Sequence, residues 1–152
     1  MTAPLLPDDA WRFVTRARVA RLATASRDAA PHVVPVVFAV VDGKIYVPVD
    51  GKQKKDIERL KRLDNIRENA QVSFLVDHYE DDWAKLGFVL IFGSATIIHA
   101  EADAAAYEKA AELLREKYAQ YRGPITLHAW MIEITLHRAA SWGAMGEEEP
   151  QK

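Results

Sequence analysis

The chain has 152 residues and a formal net charge of −2, and 49% of its residues are hydrophobic and 28% charged. These values fit one globular domain with a sizeable core, and the slightly acidic balance disfavours a general nucleic-acid-binding surface while permitting a local anion site. Because cysteine is absent, disulfides, thiolate catalysis and cysteine-ligated zinc are excluded.

The chain begins with MTAPLLPDDAW, which lacks the basic and then apolar regions of a signal peptide. No stretch approaches the roughly 18 apolar residues of a membrane span, so we expect a cytoplasmic protein. The segment PDDAWRFVTRA predicts a short helix, because Pro7 and two aspartates stand at its positive end.

Three strands are predicted next, over residues 18–25, 31–41 and 44–49. The almost continuous valine content of residues 31–41 favours burial on both faces, as in a barrel or an interface. Asp42-Gly43 is a strong signal for a two-residue hairpin between the second and third strands.

The remaining elements follow from hydrophobic periodicity. Helices are predicted over residues 56–68 and 101–121, and strands over 70–77, 87–99 and 128–142. Gly93 is a plausible bulge or point of close backbone approach.

Six strands joined by tight turns predict an antiparallel sheet. Closure into a small barrel with helices outside would remove its exposed edges. A Rossmann fold is excluded, because the G-x-G-x-x-G motif and strand-helix alternation at the start are both missing. We therefore expect a single domain over residues 1–143 and a loose tail over 144–152.

A lysine cluster, Lys52, Lys54 and Lys55, follows the third strand. It is either a solvated loop or a phosphate site at a helix start, where free N–H groups and the helix dipole attract anions. An apolar strand leading into such a cluster suits a planar ligand with a phosphorylated tail.

Four other side chains are candidates, each with an ordinary structural alternative. His32 is either a structural hydrogen-bond partner or a group that titrates at a site. Tyr79 and Trp83 belong either to a plain loop or to one that lays aromatic rings over a ligand or dimer seam, and Trp142 is either a barrel-end plug or an aromatic wall. Neither metal-ligand histidine spacing nor a G-x-S-x-G motif is present.

The pieces RVARLATASRDAAPHVVPVVF, DGKIYVPVDGKQKK and RLDNIRENAQVSFLVDHYEDDW, with the late SW, occur in this order over residues 10–143. Together they resemble the pyridoxamine 5'-phosphate oxidase-like superfamily, and more closely its branch of coenzyme F420-dependent oxidoreductases. The resemblance implies a six-stranded split β-barrel homodimer with two equivalent flavin or deazaflavin sites at the subunit interface.

The resemblance also implies the cofactor-binding residues. Carried over by position, these are His32, Val33, Val34 and Pro35 beside the ring system, Val47 and Pro48 on the neighbouring strand, Lys52, Lys54 and Lys55 at the phosphate, and Tyr79, Trp83 and Trp142 as aromatic groups that approach the site. No residue is expected to act as a protein catalyst and no metal is expected.

The sequence departs from this branch at three places. Ala29 replaces a frequent glycine, and KQKK replaces K-P-K-R, so bidentate arginine recognition of phosphate is reduced to point charges. Residues 87–90 lack the usual bulky aromatic pair and arginine. The last departure weakens the preference for coenzyme F420 over FMN.

The implied activity is hydride transfer between reduced coenzyme F420 and an unsaturated small molecule, with the cofactor supplying the reactive chemistry. The alternatives are an FMN-dependent oxidase or flavin reductase, a non-catalytic cofactor carrier, and a dimeric structural protein. Neither a nucleic acid nor a membrane is an expected partner.

Overall fold

A computed structural model describes residues 5–50 and 60–146, and within them it shows three α-helices and one seven-stranded antiparallel sheet. The helices are α1 (Asp8–Arg16), α2 (Lys61–Glu68) and α3 (Ala104–Lys117). The strands are β1 (Ala20–Ala25), β2 (Pro31–Val36), β3 (Ala39–Val41), β4 (Lys44–Asp50), β5 (Gln71–His78), β6 (Gly87–His99) and β7 (Leu127–Gly143). Short 3-10 turns cover Trp83–Lys85 and Ala119–Arg122.

The strand order β2-β1-β5-β6-β7-β4-β3 forces the sheet to curl. β2 and β3 stand at opposite ends of the sheet, yet only Val37 and Phe38 join them along the chain. Two linking residues allow the strand ends to lie at most about 11 Å apart, whereas the outer strands of a flat seven-stranded sheet would lie roughly 29 Å apart. The sheet therefore rolls into a split β-barrel, as predicted.

The number of strands differs from the prediction. The apolar run over residues 31–41 is two strands, because the chain leaves the sheet at Val37 and Phe38. Phe38 turns inward, is fully buried, and packs edge-on against Phe74 with ring centres 5.0 Å apart. Burial on both faces is also absent within the single chain, since β2 is an edge strand and Val33 is 64% exposed.

Two apolar clusters hold the fold together. The larger cluster fills the barrel, where alternate residues such as Leu22, Phe74, Ile91 and Ile134 meet the buried face of α1. The smaller one lies under α3 on the outside of the barrel and includes Met131. Burial of alternate residues on opposite sides of β4 and β7 is what the two-residue period of a strand dictates.

Several local predictions are confirmed. α1 and β6 lie where the sequence placed them, and the Asp42-Gly43 turn has both residues at positive φ, 51° and 75°. The register of β6 shifts at Gly93, where an added Cβ would lie 2.3 Å from the Thr135 carbonyl oxygen.

The predicted ends of two helices are not confirmed. α3 is shorter than predicted, because Tyr118 is already extended. The predicted start of the helix over 56–68 lies outside the described residues.

The first residues of the predicted tail contact the domain. The amide of Ala144 donates to the Leu86 carbonyl at 2.8 Å, and the Met145 side chain packs against the barrel cluster. Arg16 donates to the Met145 carbonyl at 2.9 Å. Residues 147–152 lie outside the described part of the chain, so a loose tail there stays a prediction. None of the described helices is long and apolar enough to cross a membrane.

Candidate functional site

Pro35 and Pro48 face one small cavity of about 200 Å³, which we call the proline slot. Its other lining residues are Val19, Val36, Val37 and Arg62. Pro35 is on β2 and Pro48 on β4, which are far apart in the sheet order and meet only because the barrel curls. The slot therefore combines apolar walls from both ends of the sheet with one cation from α2.

A buried polar group lies between β1 and α2. Thr24 on β1 pairs with His32 on β2, and the Asn65 amide of α2 donates to the Thr24 hydroxyl at 3.0 Å. Asn65 is fully buried and Thr24 is 4% exposed. Two atoms here, His32 Nδ1 and Asn65 Oδ1, are buried without a hydrogen-bond partner in the described part of the chain.

Buried polar atoms are nearly always hydrogen-bonded in folded proteins. His32 Nδ1 and Asn65 Oδ1 are therefore exceptions to this rule among the described residues. Sequence reasoning identified His32 but missed Thr24, Asn65 and Arg62. The available signal was that Arg62 and Asn65 lie in RLDNIREN, one of the sequence pieces that carry the family resemblance.

The other predicted strand residues are distributed over two faces. Val34 packs against the barrel interior, and Val47 is 1% exposed within it. Val33 points to the outer face of the sheet, beside Ala23. Among the predicted ring-binding residues, the proline slot thus contains Pro35 and Pro48.

The lysine cluster lies outside the described residues. β4 ends at Asp50 and the chain is described again from Leu60, just before α2. Arg62 is the cation that lines the slot within the described part of the chain. A phosphate-binding role for the lysine cluster stays a prediction.

The three predicted aromatic residues lie away from the proline slot. Tyr79 and Trp83 are on the loop between β5 and β6 and are 67% and 71% exposed. Trp142 stacks on Phe88, with ring centres 5.8 Å apart and an interplanar angle of 26°. Since Trp142 is 56% exposed, it does not plug the barrel.

A second and larger cavity, of about 920 Å³, lies between the end of α1, the start of β1, the end of β5 and residues 144–146. It contains several charged side chains, of which Arg21 and Asp77 lie 3.6 Å apart. Val19 lines both this cavity and the proline slot. The two cavities are therefore neighbours.

Within residues 5–50 and 60–146, no group of three or more histidine, aspartate or glutamate side chains could hold a metal ion. The proline slot is instead lined by apolar side chains and one cation, Arg62. Such a lining suits a flat organic ring with an anionic substituent.

Solved structures with this fold cover nearly the whole chain. An FAD-binding protein, mll6688, from Mesorhizobium loti has a TM-score of 0.64 and 21% identity, over 90% of this chain and 94% of that one. The conserved hypothetical protein Rv2991 from Mycobacterium tuberculosis has a TM-score of 0.65 and 24% identity, over 93% and 88%. The heme storage protein HutZ from Vibrio cholerae has a TM-score of 0.65 and 14% identity, over 88% and 90%.

At these identities the three structures establish the fold alone. No curated protein matches the sequence. The sequence profile of the pyridoxamine 5'-phosphate oxidase family matches residues 6–142, which includes every described strand apart from the last residue of β7. The chain therefore belongs to the pyridoxamine 5'-phosphate oxidase family.

Proposed function

We propose that this chain binds a flavin-type redox cofactor at the proline slot and acts as an oxidoreductase on an unsaturated small molecule. Coenzyme F420 is the first candidate, on the strength of the sequence resemblance, and FMN is the second. The observation that carries the proposal is the apolar cavity between Pro35 and Pro48, with Arg62 on its wall.

The residues of this region fit such a cofactor. Proline and valine side chains of the slot offer flat apolar contact to a ring. Arg62, together with the lysine cluster that precedes it in sequence, would attract an anionic tail. At about 200 Å³ the slot is small for a three-ring system, so a second subunit would supply the opposite wall.

The protein's own contribution would be to bind, orient and exclude water. When bound, reduced coenzyme F420 supplies a hydride, which together with a proton from water saturates the double bond of the substrate. This division of labour requires neither a protein nucleophile nor a carboxylate pair. The slot residues would fix the plane of the ring.

A homodimer is part of the proposal, because the outer face of the sheet exposes a group of apolar residues. Cross-strand pairing places Leu75, Leu90 and Ala140 in one row across β5, β6 and β7. Phe88 and Trp142 form the next row, and Val33 continues the face on β2. A second copy of the chain would cover this face and bring its own exposed aromatic residues towards the slot.

The test is a cofactor titration of protein purified from a host that lacks coenzyme F420. Coenzyme F420, FMN and FAD would each be added and followed by ligand fluorescence, with Lys52, Lys54 and Lys55 replaced together by alanine in a second preparation. We expect micromolar binding of coenzyme F420, weakened at least tenfold in the triple variant. A Lys109→Ala variant is the control, since Lys109 is exposed and pairs with Asp42 in the β3–β4 turn.

FMN remains a distinct second candidate, because the sequence lacks the arginine that the F420-dependent branch carries near residues 87–90. A yellow protein that binds FMN but not coenzyme F420 would replace the first assignment with the second. Failure to bind any of the three cofactors would overturn the proposal.

A further inference from the structure

The 920 Å³ cavity differs from the proline slot in both size and charge, and we call it the arginine chamber. Its volume is typical of cavities that enclose a drug-sized organic molecule. The apolar part of its wall comes from α1, the adjoining strands and the segment after β7, and consists of Phe13, Ala17, Val19, Val76, Ala84, Ala144 and Met145.

Four cations and two carboxylates line the chamber. Both carboxylates already have partners, because Asp77 lies 3.6 Å from Arg21 and Glu80 lies 2.8 Å from His78. Among the described residues, Arg16, Arg18 and Lys85 have no carboxylate within ion-pair distance. The lining of the chamber therefore combines apolar side chains with an excess of positive charge.

Two of these cations, Arg16 and Arg18, are held in place by other contacts. Arg16 donates to the Met145 carbonyl at 2.9 Å, and the Arg18 guanidinium lies 4.8 Å from the centre of the Tyr118 ring. The backbone of Lys85 closes a 3-10 turn in which the Asp82 side chain accepts from the Ala84 amide at 3.1 Å, while the Lys85 side chain is exposed. A cation that is already held in place, such as Arg16, loses less side-chain entropy on binding an anion.

Val19 lies between the chamber and the proline slot. It lines both cavities and is 42% exposed. The chamber is therefore the neighbouring cavity to a ring held between Pro35 and Pro48. Transfer from a bound cofactor requires the substrate to lie beside it.

We infer that the arginine chamber is the substrate site of the proposed oxidoreductase, and that its substrate is an amphipathic organic anion. The substrate has an apolar body, which the apolar wall of the chamber accommodates, and a carboxylate or similar group, which Arg16 and Lys85 recognise. This inference rests on the proposed function for the identity of the reaction. The anion preference itself depends only on the chamber.

The first experiment measures ligand selectivity without cofactor. Titration calorimetry would compare 2-naphthoate with its neutral analogue 2-naphthamide, which has nearly the same shape. We expect naphthoate to bind at least tenfold more tightly. A Lys85→Glu variant should lose that preference while its affinity for naphthamide is unchanged, and a Lys109→Glu variant should behave like the wild type.

The second experiment repeats the naphthoate titration with the bound cofactor at saturation. Simultaneous binding supports a substrate site beside the slot. Competition between naphthoate and cofactor would overturn the inference, because the chamber would then hold part of the cofactor. Equal affinities for naphthoate and naphthamide would also overturn it.

The two proposals can fail separately. If a cofactor binds but naphthoate does not, the substrate site is wrong and the proposed function stands. If naphthoate binds selectively and no cofactor binds, the assignment as a substrate site falls together with the proposed function.

Discussion

The ammonium nitrogen of Lys117 lies 3.8 Å from the centre of the Phe38 ring and donates a hydrogen bond to the Phe38 carbonyl at 3.2 Å. This contact holds Phe38 in the two-residue link between β2 and β3, the strands at the two ends of the curled sheet. We call this link, Val37 and Phe38, the joint. Burial lowers the pKa of Lys117 to about 8, and the charge of Arg18 acts in the same direction. The folded protein therefore releases this proton at a lower pH than the unfolded chain does.

This difference predicts a pH dependence of stability. Between pH 8 and about 10.5, the unfolded chain keeps the Lys117 proton and the folded protein does not, so this residue makes the free energy of unfolding rise with pH. A Lys117→Met variant retains the apolar stem and should lack this contribution. Urea unfolding at several pH values measures the difference between the two proteins. Parallel curves across this window would show that Lys117 does not titrate there.

The hydroxyl of Tyr118 supports the same joint, and its removal should be costly. It accepts from the Phe38 amide at 3.2 Å and lies 3.0 Å from the Arg18 carbonyl oxygen. Tyr118→Phe leaves the buried Phe38 amide without a partner, which should lower the free energy of unfolding by about 1–3 kcal/mol. Tyr79→Phe is the matched control, since that ring is 67% exposed, and it should change stability by less than about 0.5 kcal/mol.

The joint is a part of the fold that could not be predicted from the sequence. The strands and helices were predictable because their hydrophobic periods are local, as in β6 and α3. The break at Val37 and Phe38 was not, because the sequence there is uniformly apolar. The backbone at Phe38 is held by Tyr118, which is 80 residues away.

The candidate site, too, was only partly predictable from the sequence. Pro35, Pro48 and His32 could be selected from the sequence, since they belong to motifs of a known family. It could not be derived from the sequence that Arg62 lines the same slot, or that Asn65 reaches Thr24 across 41 residues. Such contacts depend on how the whole sheet curls.

The hydrogen bond between Asn65 and Thr24 yields a stability test with a close control. Thr24→Val replaces the hydroxyl by a methyl group of similar size and leaves the buried Asn65 amide without its acceptor. We expect a loss of about 1–3 kcal/mol in the free energy of unfolding. Thr24→Ser keeps the acceptor and should lose less. If the two variants are equally stable, this hydrogen bond contributes nothing to the fold.

Ala29 occupies a backbone conformation that favours glycine, with φ at 61° in the turn between β1 and β2. The left-handed conformation costs an alanine about 1–2 kcal/mol, while the greater freedom of glycine in the unfolded chain offsets about 0.4–1 kcal/mol. Ala29→Gly should therefore stabilise the protein by roughly 0.5–1 kcal/mol. Ala30→Gly, at a residue with ordinary φ, should instead be neutral or destabilising. Thermal unfolding of the two variants side by side measures the contrast.

The outer face of the sheet provides the test of the proposed dimer. Val33 is 64% exposed on β2, on the same face as Ala23, so a charged side chain there would be tolerated by a single chain. In a dimer that buries this face, Val33→Glu would place an unpaired carboxylate in an apolar interface, which is strongly unfavourable. Sedimentation velocity should then show a dimer for the wild type and a monomer for Val33→Glu. Leu113→Glu alters a partly exposed leucine on α3, outside this face, and should remain dimeric. A monomeric wild type, or an unchanged dimer in the Val33 variant, would mean that this face is not the interface, and the wall opposite the proline slot would have to come from elsewhere.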